Sequence, residues 1–110
     1  MLNQVVLVGR LTDNPEVTTL EHGKKVTYII LAVQRSFKNS EGVYEADFIR
    51  CILWDAIATN TCEYCHKGDI VGIKGRIQTS NYEKDGNKVY NTDVIAEKVT
   101  FLATKKDSEQ

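Results

Sequence analysis

The stretch of residues 47–54, with the sequence D-F-I-R-C-I-L-W, constrains the fold of this chain most strongly. It follows the two-residue period of a β-strand, in which neighbouring side chains point to opposite faces. One face carries an ordinary row of apolar core residues: Ile49, Cys51 and Leu53. The other face carries two aromatic rings and a guanidinium group: Phe48, Arg50, Ile52 and Trp54. One face of this strand is therefore expected to pack on a core, and the rings of the other face are expected to contact a ligand or another part of the protein.

An aromatic and cationic strand face is the surface that a single-stranded nucleic acid requires. Bases stack on aromatic rings, and phosphates pair with neighbouring cations. The alternative is that Phe48 and Trp54 are buried against another layer of the domain or against another subunit. This strand by itself leaves both interpretations open.

The remaining sequence predicts four further main strands and one helix. Runs of β-branched and aromatic residues, bounded by turn residues, predict strands at residues 5–8, 26–35, 46–54, 70–80 and 92–102. A helix is expected to begin at Asp55 and end at Gly68, and Asp85-Gly86 predicts a hairpin turn. The apolar stripe of this helix is expected to contain Ile57, Thr61, Tyr64 and Cys65. The predicted fold class is all-β: a five-stranded OB-fold barrel with one α-helix between strands three and four and an extended hairpin between strands four and five.

Two aromatic residues outside the strand of residues 47–54 receive separate interpretations. Residues 36–45 are polar and predict a loop, in which Phe37 is flanked by the cations Arg35 and Lys38. An exposed phenylalanine between cations is poorly explained as core, so Phe37 is a candidate binding residue. Tyr90 is expected to pack across the predicted hairpin as a structural residue.

Length and composition predict one ordinary globular domain. The chain has 110 residues, of which 42% are hydrophobic and 26% are charged. We expect a barrel domain at residues 1–104 and a short polar tail at residues 105–110. Because no membrane-length apolar run or signal peptide is visible, a cytoplasmic location is expected. A net charge of −1 argues against a protein held to duplex DNA by bulk positive charge.

No motif in the sequence predicts an enzyme or a cofactor. Residues 62–66 spell C-x-x-C-H, the attachment motif of c-type haem, but they lie in the predicted helix of a chain without an export signal. A zinc site would need Cys51 or His22, which belong to a core strand and to a distant turn. Neither histidine has a plausible nucleophile beside an orienting group. We therefore expect a non-enzymatic protein without metal or cofactor.

In its motifs and their order the chain resembles the bacterial single-stranded DNA-binding protein family, from about Leu2 to Leu102. The motifs include N-x-V-x-L-V-G-R-L at residues 3–11, D-x-P-E-V at 13–17 and A-D-F-I-x-C at 46–51. They continue with K-G-D at residues 67–69, G-R-I-Q-T at 75–79 and T-D-V at 92–94, with Tyr82 before the Asp85-Gly86 turn. Each motif is weak alone, but their order and spacing are specific.

The resemblance implies sequence-independent binding of single-stranded DNA in replication, recombination, repair or transformation. The positions matched to the stacking aromatics of the family are Phe37, Phe48, Trp54 and Tyr82. The candidate phosphate partners are, in falling order, Arg50, Lys67, Arg10, Arg35, Lys38 and Arg76. The family also implies a homotetramer in which the apolar N-terminal strand contributes to the contact between subunits.

The chain departs from the family pattern in its cations and at its end. Positions that are basic in better-known members are here Gln4, Thr18, Gln78 and Ser80, which predicts a lower affinity and a flatter response to salt. Nothing after Leu102 resembles the acidic tip that recruits replication and repair partners, so such partners are not expected. Truncation and a short tail-less paralogue both remain open, and the run of residues 64–68 favours the paralogue slightly.

Two other classes of function remain open at this stage. OB-fold barrels also serve as protein–protein modules, as in the primosomal replication protein, and such a module would lack the stacking aromatics. OB-fold barrels also bind oligosaccharides or RNA. A direct competition between DNA and RNA oligomers separates the RNA alternative.

Overall fold

A computed structural model describes residues 1–104, so the predicted tail at residues 105–110 lies outside the described residues. The elements, in chain order, are β1 (Val5–Leu11), β2 (Thr18–Thr19), β3 (Lys25–Lys38), β4 (Tyr44–Trp54), α1 (Asp55–Tyr64), β5 (Ile70–Lys84) and β6 (Asn87–Ala103). The very short β2 only extends the edge of β3. The five long strands are the five predicted ones, and α1 lies between the third and fourth of them.

The strands form one sheet that closes on itself. Their order is β1-β5-β6-β4-β3-β2, and a further antiparallel pairing joins β1 to β3 through Arg10 opposite Ala32 and Leu11 opposite Leu31. The pairing of β4 with β6 is parallel, whereas the other pairings are antiparallel. This closure joins the two ends of the sheet but covers the edge of β1 only at Arg10 and Leu11. The predicted OB-fold barrel is therefore confirmed.

The core lies inside the barrel and beneath α1. It is formed by small and branched apolar residues from the strands, together with Ala58 of α1 and Cys65 just after it. The cluster consists of Leu11, Ile29, Leu31, Cys51, Leu53, Ala58, Cys65, Val71, Ile73, Val94 and Ala96. Full burial of an aliphatic side chain of this size contributes about 1.5–3 kcal/mol. Burial, and secondarily the charge of Asp93, raises the pKa of Cys51 to about 12, which keeps this thiol protonated.

The helix begins at Asp55 as predicted, but it is shorter than predicted and its first turn is capped differently. It ends at Tyr64 because Cys65 is extended, and the turn that follows is tied to β1 by hydrogen bonds between Leu11 and both Gly68 and Asp69. Asp55 does not cap the helix through its side chain; its Oδ1 instead accepts a hydrogen bond from the Lys25 N–H at 3.1 Å. The predicted apolar stripe is wrong at Tyr64, which is exposed, and Ala58 is buried in the helix instead.

Two hairpins extend beyond the closed barrel. Half of the predicted loop at residues 36–45 is strand, because β3 continues to Lys38 and β4 begins at Tyr44. The turn between them is held by a hydrogen bond from the Asn39 N–H to the Val43 carbonyl. The β5–β6 hairpin turns at Asp85-Gly86 as predicted. Both turn residues have positive φ, 52° and 79°, which matches the tight hairpin turns that favour Asp-Gly. We call these the β3–β4 arm and the β5–β6 arm.

Candidate nucleic-acid interface

The outer face of β3 and β4 carries the residues that the alternation of residues 47–54 predicted. Cys51 and Leu53 are fully buried, whereas Phe48 is 68% exposed on the opposite face. Antiparallel pairing places Tyr28 beside Ile52, Ile30 beside Arg50 and Ala32 beside Phe48. We define the aromatic face as the outward residues of these two strands: Tyr28, Ile30, Phe48, Arg50, Ile52 and Trp54. The predicted division of β4 into a core face and an aromatic face is confirmed.

Arg50 lies at the centre of the aromatic face and has two partners. Its guanidinium carbon is 4.6 Å from the ring centroid of Tyr28, a cation–π contact. Its Nε is 3.7 Å from Oδ1 of Asp93, which reaches this face from the neighbouring strand β6. The Arg50 side chain remains 44% exposed, so it is accessible to a ligand. Sequence analysis did not identify either Tyr28 or Asp93 at this site.

Trp54 closes the aromatic face where β4 passes into α1. Its ring is half-buried, and Nζ of Lys24 lies 5.5 Å from the ring centroid. Lys24 comes from the turn after β2, so it approaches the ring from a different part of the chain. A ring that is only half-buried can still offer an exposed surface to a base.

The β3–β4 arm presents Phe37, which is 64% exposed and belongs to β3 rather than to a loop as predicted. Beside it, Nζ of Lys38 lies 5.6 Å from the ring centroid of Tyr44, its cross-strand partner. The arm therefore holds two exposed rings and one ammonium group. Unlike the aromatic face, this part of β3 has no buried residue behind it, since residues 34–38 are all exposed.

Arg35 is the predicted phosphate partner that is most fully engaged within the protein. Its guanidinium donates hydrogen bonds to both carboxylate oxygens of Asp47 and pairs with Glu45 at 2.8 Å. The hydrogen bonds to Asp47 raise the pKa of Arg35, and the same bonds lower the pKa of Asp47. Two carboxylates beside one guanidinium leave no net positive charge at this position. Arg35 therefore ranks last among the candidate phosphate partners.

The β5–β6 arm continues the outward face of the barrel. Gln78 lies opposite Asp93, and residues 76, 80 and 82 share the side of Gln78 by alternation. Tyr82 is 49% exposed there. Arg76 donates a hydrogen bond from Nη1 to Oε1 of Gln78 at 2.8 Å.

The prediction for Tyr90 is wrong. Its cross-strand partner is Asn81, whereas Tyr82 lies opposite Val89, so the two tyrosines are on opposite faces of the arm. Tyr90 is 69% exposed and does not pack against Tyr82. The physical reason is register: two residues opposite in the ladder share a face, and an offset of one reverses it.

Arg10 and Lys67 form a second cationic region at one border of the aromatic face. Arg10 donates a hydrogen bond from Nη1 to the Gly68 carbonyl at 2.7 Å, which brings its guanidinium beside Lys67. Both residues line a shallow depression together with Ala32, the cross-strand neighbour of Phe48. The exposed Lys67 is anchored through its backbone N–H, which donates to Oδ1 of Asn14 at 2.8 Å.

The structure thus unites most of the predicted site. Phe48, Arg50 and Trp54 share the aromatic face, with Arg10 and Lys67 at one border and Arg76 and Tyr82 toward the β5–β6 arm. Phe37 and Lys38 lie apart, on the other arm. Tyr28 could have been found from its alternation with buried residues of β3, but Asp93 carries no local signal because only the parallel pairing of β4 with β6 brings it here.

The described residues offer no site for a metal ion. Across residues 1–104 no group of three or more His, Cys, Asp or Glu side chains is placed to hold one. Cys65 is buried and Cys62 is half-buried beside Thr27, with Sγ 3.4 Å from its hydroxyl. In the same part of the chain, no helix is long and apolar enough to cross a membrane.

A closed OB barrel with an outward face of rings and cations defines a class of binding protein. Comparison with known sequences then identifies the family. Residues 2–102 match the sequence model of the single-strand binding protein family. The chain belongs to this family, which is non-enzymatic, as predicted.

Individual relatives match over nearly the whole chain. The chain is 50% identical over 106 residues to single-stranded DNA-binding protein B of Bacillus subtilis, covering 96% of this chain and 94% of that protein. It is 48% identical over 108 residues to single-stranded DNA-binding protein 3 of Listeria innocua, covering 97% and 68%. It is 50% identical over 106 residues to the single-stranded DNA-binding protein of Oceanobacillus iheyensis, covering 96% and 66%.

Proposed function

We propose that this protein binds single-stranded DNA without sequence preference, by stacking bases on exposed rings and pairing phosphates with cations. The observation that carries the proposal is the aromatic face, where Phe48, Arg50 and Trp54 share one outward surface of a closed barrel. The names of the relatives state single-stranded DNA as their ligand. Stacking on an aromatic residue contributes about 1–3 kcal/mol per base and tolerates any base.

The bound DNA single strand follows the outward surface of the protein from the barrel onto the two arms. Phe48 and Trp54 stack bases on the aromatic face, Tyr82 stacks a base on the β5–β6 arm, and Phe37 stacks one on the β3–β4 arm. All four side chains are exposed or half-exposed, so none needs to leave the core to reach a base. A path over separate arms also explains why exposed rings occur so far from the barrel.

Phosphate contacts come from a small set of cations. Lys67 and Arg10 bind phosphates at the depression beside Ala32. Arg50 binds a phosphate at the centre of the aromatic face, and Lys38 binds one on the β3–β4 arm. Arg76 contributes less because it is hydrogen-bonded to Gln78, and Arg35 contributes least because Asp47 and Glu45 hold it. Because few cations lie along this path, the affinity falls only modestly as the salt concentration rises.

The protein works as a homotetramer. Supporting this, β1 pairs with β3 only at Arg10 and Leu11, which leaves most of its other edge without a partner within residues 1–104. Val6 and Val8 are 70% and 55% exposed on this strand, and such apolar side chains favour an interface between subunits. We further place the binding activity in the cytoplasm, at the nucleoid, in replication, recombination, repair or transformation.

Competition binding tests the proposal. Labelled oligo-dT bound to the protein is challenged with unlabelled DNA single strand, DNA duplex, RNA of equal length and an oligosaccharide. We expect only the DNA single strand to displace the label efficiently. Phe48→Ala should weaken binding about fivefold to a hundredfold, whereas Tyr64→Ala, an exposed ring on α1 outside the path, should not. No binding of oligo-dT, or equal loss in both variants, would contradict the proposal.

A further inference from the structure

Asp93 is a carboxylate in the middle of a surface proposed to bind a polyanion. Its side chain is only 11% exposed, and it lies on β6 directly opposite the neutral Gln78 of β5. Within residues 1–104 the cation within 4 Å of its carboxylate is Arg50. Burying a carboxylate costs folding free energy unless a cation stays close to it. Asp93 and Arg50 therefore depend on one another in the absence of DNA.

The contact between the two groups is close but incomplete. The 3.7 Å between Nε of Arg50 and Oδ1 of Asp93 is longer than a charge-assisted hydrogen bond of 2.7–2.9 Å. The guanidinium instead rests on the ring of Tyr28, at 4.6 Å, and 44% of the Arg50 side chain remains exposed. A phosphate can thus reach the guanidinium without first breaking a bidentate pair.

We propose that Asp93 sets the affinity of this site by competing with a DNA phosphate for Arg50. The inference rests on the proposed function. When a phosphate pairs with the outer side of the guanidinium, a second anion lies near the buried carboxylate, and their repulsion cancels part of the attraction. Tyr28 keeps the guanidinium at the surface in both states. Asp93 is a positioning residue, since it acts on the DNA through Arg50.

The neutral residue at position 78 makes this competition effective. A cation at position 78 would pair with the Asp93 carboxylate, and Arg50 could then pair with the phosphate alone. Gln78 supplies no charge, and its Oε1 is already occupied by Arg76. One guanidinium therefore serves two anions whenever DNA is bound, and the expected consequence is faster release of the strand.

The test is equilibrium binding of oligo-dT by Asp93→Asn at several salt concentrations. We expect about threefold to tenfold tighter binding than the wild-type protein, the size of one partly screened charge–charge repulsion. The salt dependence should steepen by up to about 0.7, the value for one more neutralised phosphate on a single strand. Glu97→Gln removes an exposed carboxylate further along β6 and controls for net charge.

A second background separates this mechanism from a general effect. In the Arg50→Gln protein, Asp93→Asn should change affinity no more than Glu97→Gln does, because the shared cation is gone. If Asp93→Asn does not fold, Asp93→Ser replaces it in the same design. Weaker or unchanged binding in the variant at position 93, or equal tightening with and without Arg50, overturns the inference. Absence of binding by the wild-type protein would instead contradict the proposed function.

Discussion

The aromatic face and the two arms present similar rings on different supports. Behind the aromatic face lie Ile29, Leu31, Cys51 and Leu53, all buried, so each outward side chain stands on packed core. Along the β5–β6 arm, residues 77–84 of β5 are all exposed, and their ladder partners all come from β6. We therefore expect substitutions in the barrel to change binding and folding together, whereas substitutions on the arms should change the stability of the barrel little. Substitutions can test this difference.

The largest expected effect is in the core behind the aromatic face. Leu53→Ala should lower the free energy of unfolding by about 2–5 kcal/mol, because it empties a fully buried site. Chemical denaturation measures the loss. Val89→Ala, a half-exposed residue opposite Tyr82 on the β5–β6 arm, is the matched change and should cost less than about 1 kcal/mol. Equal losses would remove the distinction between barrel and arm.

A second substitution tests the point where the barrel passes into the β5–β6 arm. The register of β5 and β6 shifts between Lys74 and Gly75, and a Cβ at Gly75 would lie 2.1 Å from the Ile95 carbonyl oxygen. Gly75→Ala should therefore lower the unfolding free energy by about 1–3 kcal/mol or more. Thermal denaturation compares it with Gly72→Ala on the same strand, whose nearest contact is 3.7 Å. A Gly75 variant as stable as the Gly72 variant would contradict this account.

On the arm itself, binding should change while stability does not. Tyr82→Ala should weaken the binding of oligo-dT by about fivefold to a hundredfold, the loss of one stacked base. The free energy of unfolding should stay within about 0.5 kcal/mol of wild type. Tyr90→Ala, on the other face of the same arm, should leave the affinity unchanged. Comparable losses of affinity in both variants would contradict the placement of the DNA on the Tyr82 face of this arm.

The smallest effect concerns the ion pairs of the β3–β4 arm. Arg35 lowers the pKa of Asp47, so this carboxylate favours the folded state above its ordinary value of about 4 and loses that contribution as pH falls through its lowered pKa. Asp47→Asn should reduce the acid-induced loss of stability below about pH 4. Denaturation as a function of pH measures it, with Glu41→Gln on the same arm as control. Identical acid profiles for wild type and Asp47→Asn would contradict the pairing.

Local sequence patterns predicted those features of the fold that depend on neighbouring residues alone. The alternation of residues 47–54 placed Leu53 in the core and Phe48 outside, and Asp85-Gly86 predicted the turn of the β5–β6 arm. Tyr28 and Asp93 escaped prediction because their roles depend on which strands are neighbours, and the parallel pair of β4 and β6 joins distant segments. The pairing of Arg35 with Asp47 and Glu45 escaped prediction too, since the charge of a residue in a sequence does not reveal its partners.

The central claim is that bases stack on the aromatic face, and Trp54 reports on it directly because it is the only tryptophan in the chain. Its fluorescence is titrated with oligo-dT and with duplex of equal length, at low and moderate salt. The account predicts strong quenching by the single strand alone, saturating at a fixed number of nucleotides per chain. Unchanged fluorescence with both ligands would contradict it and assign Trp54 a structural role.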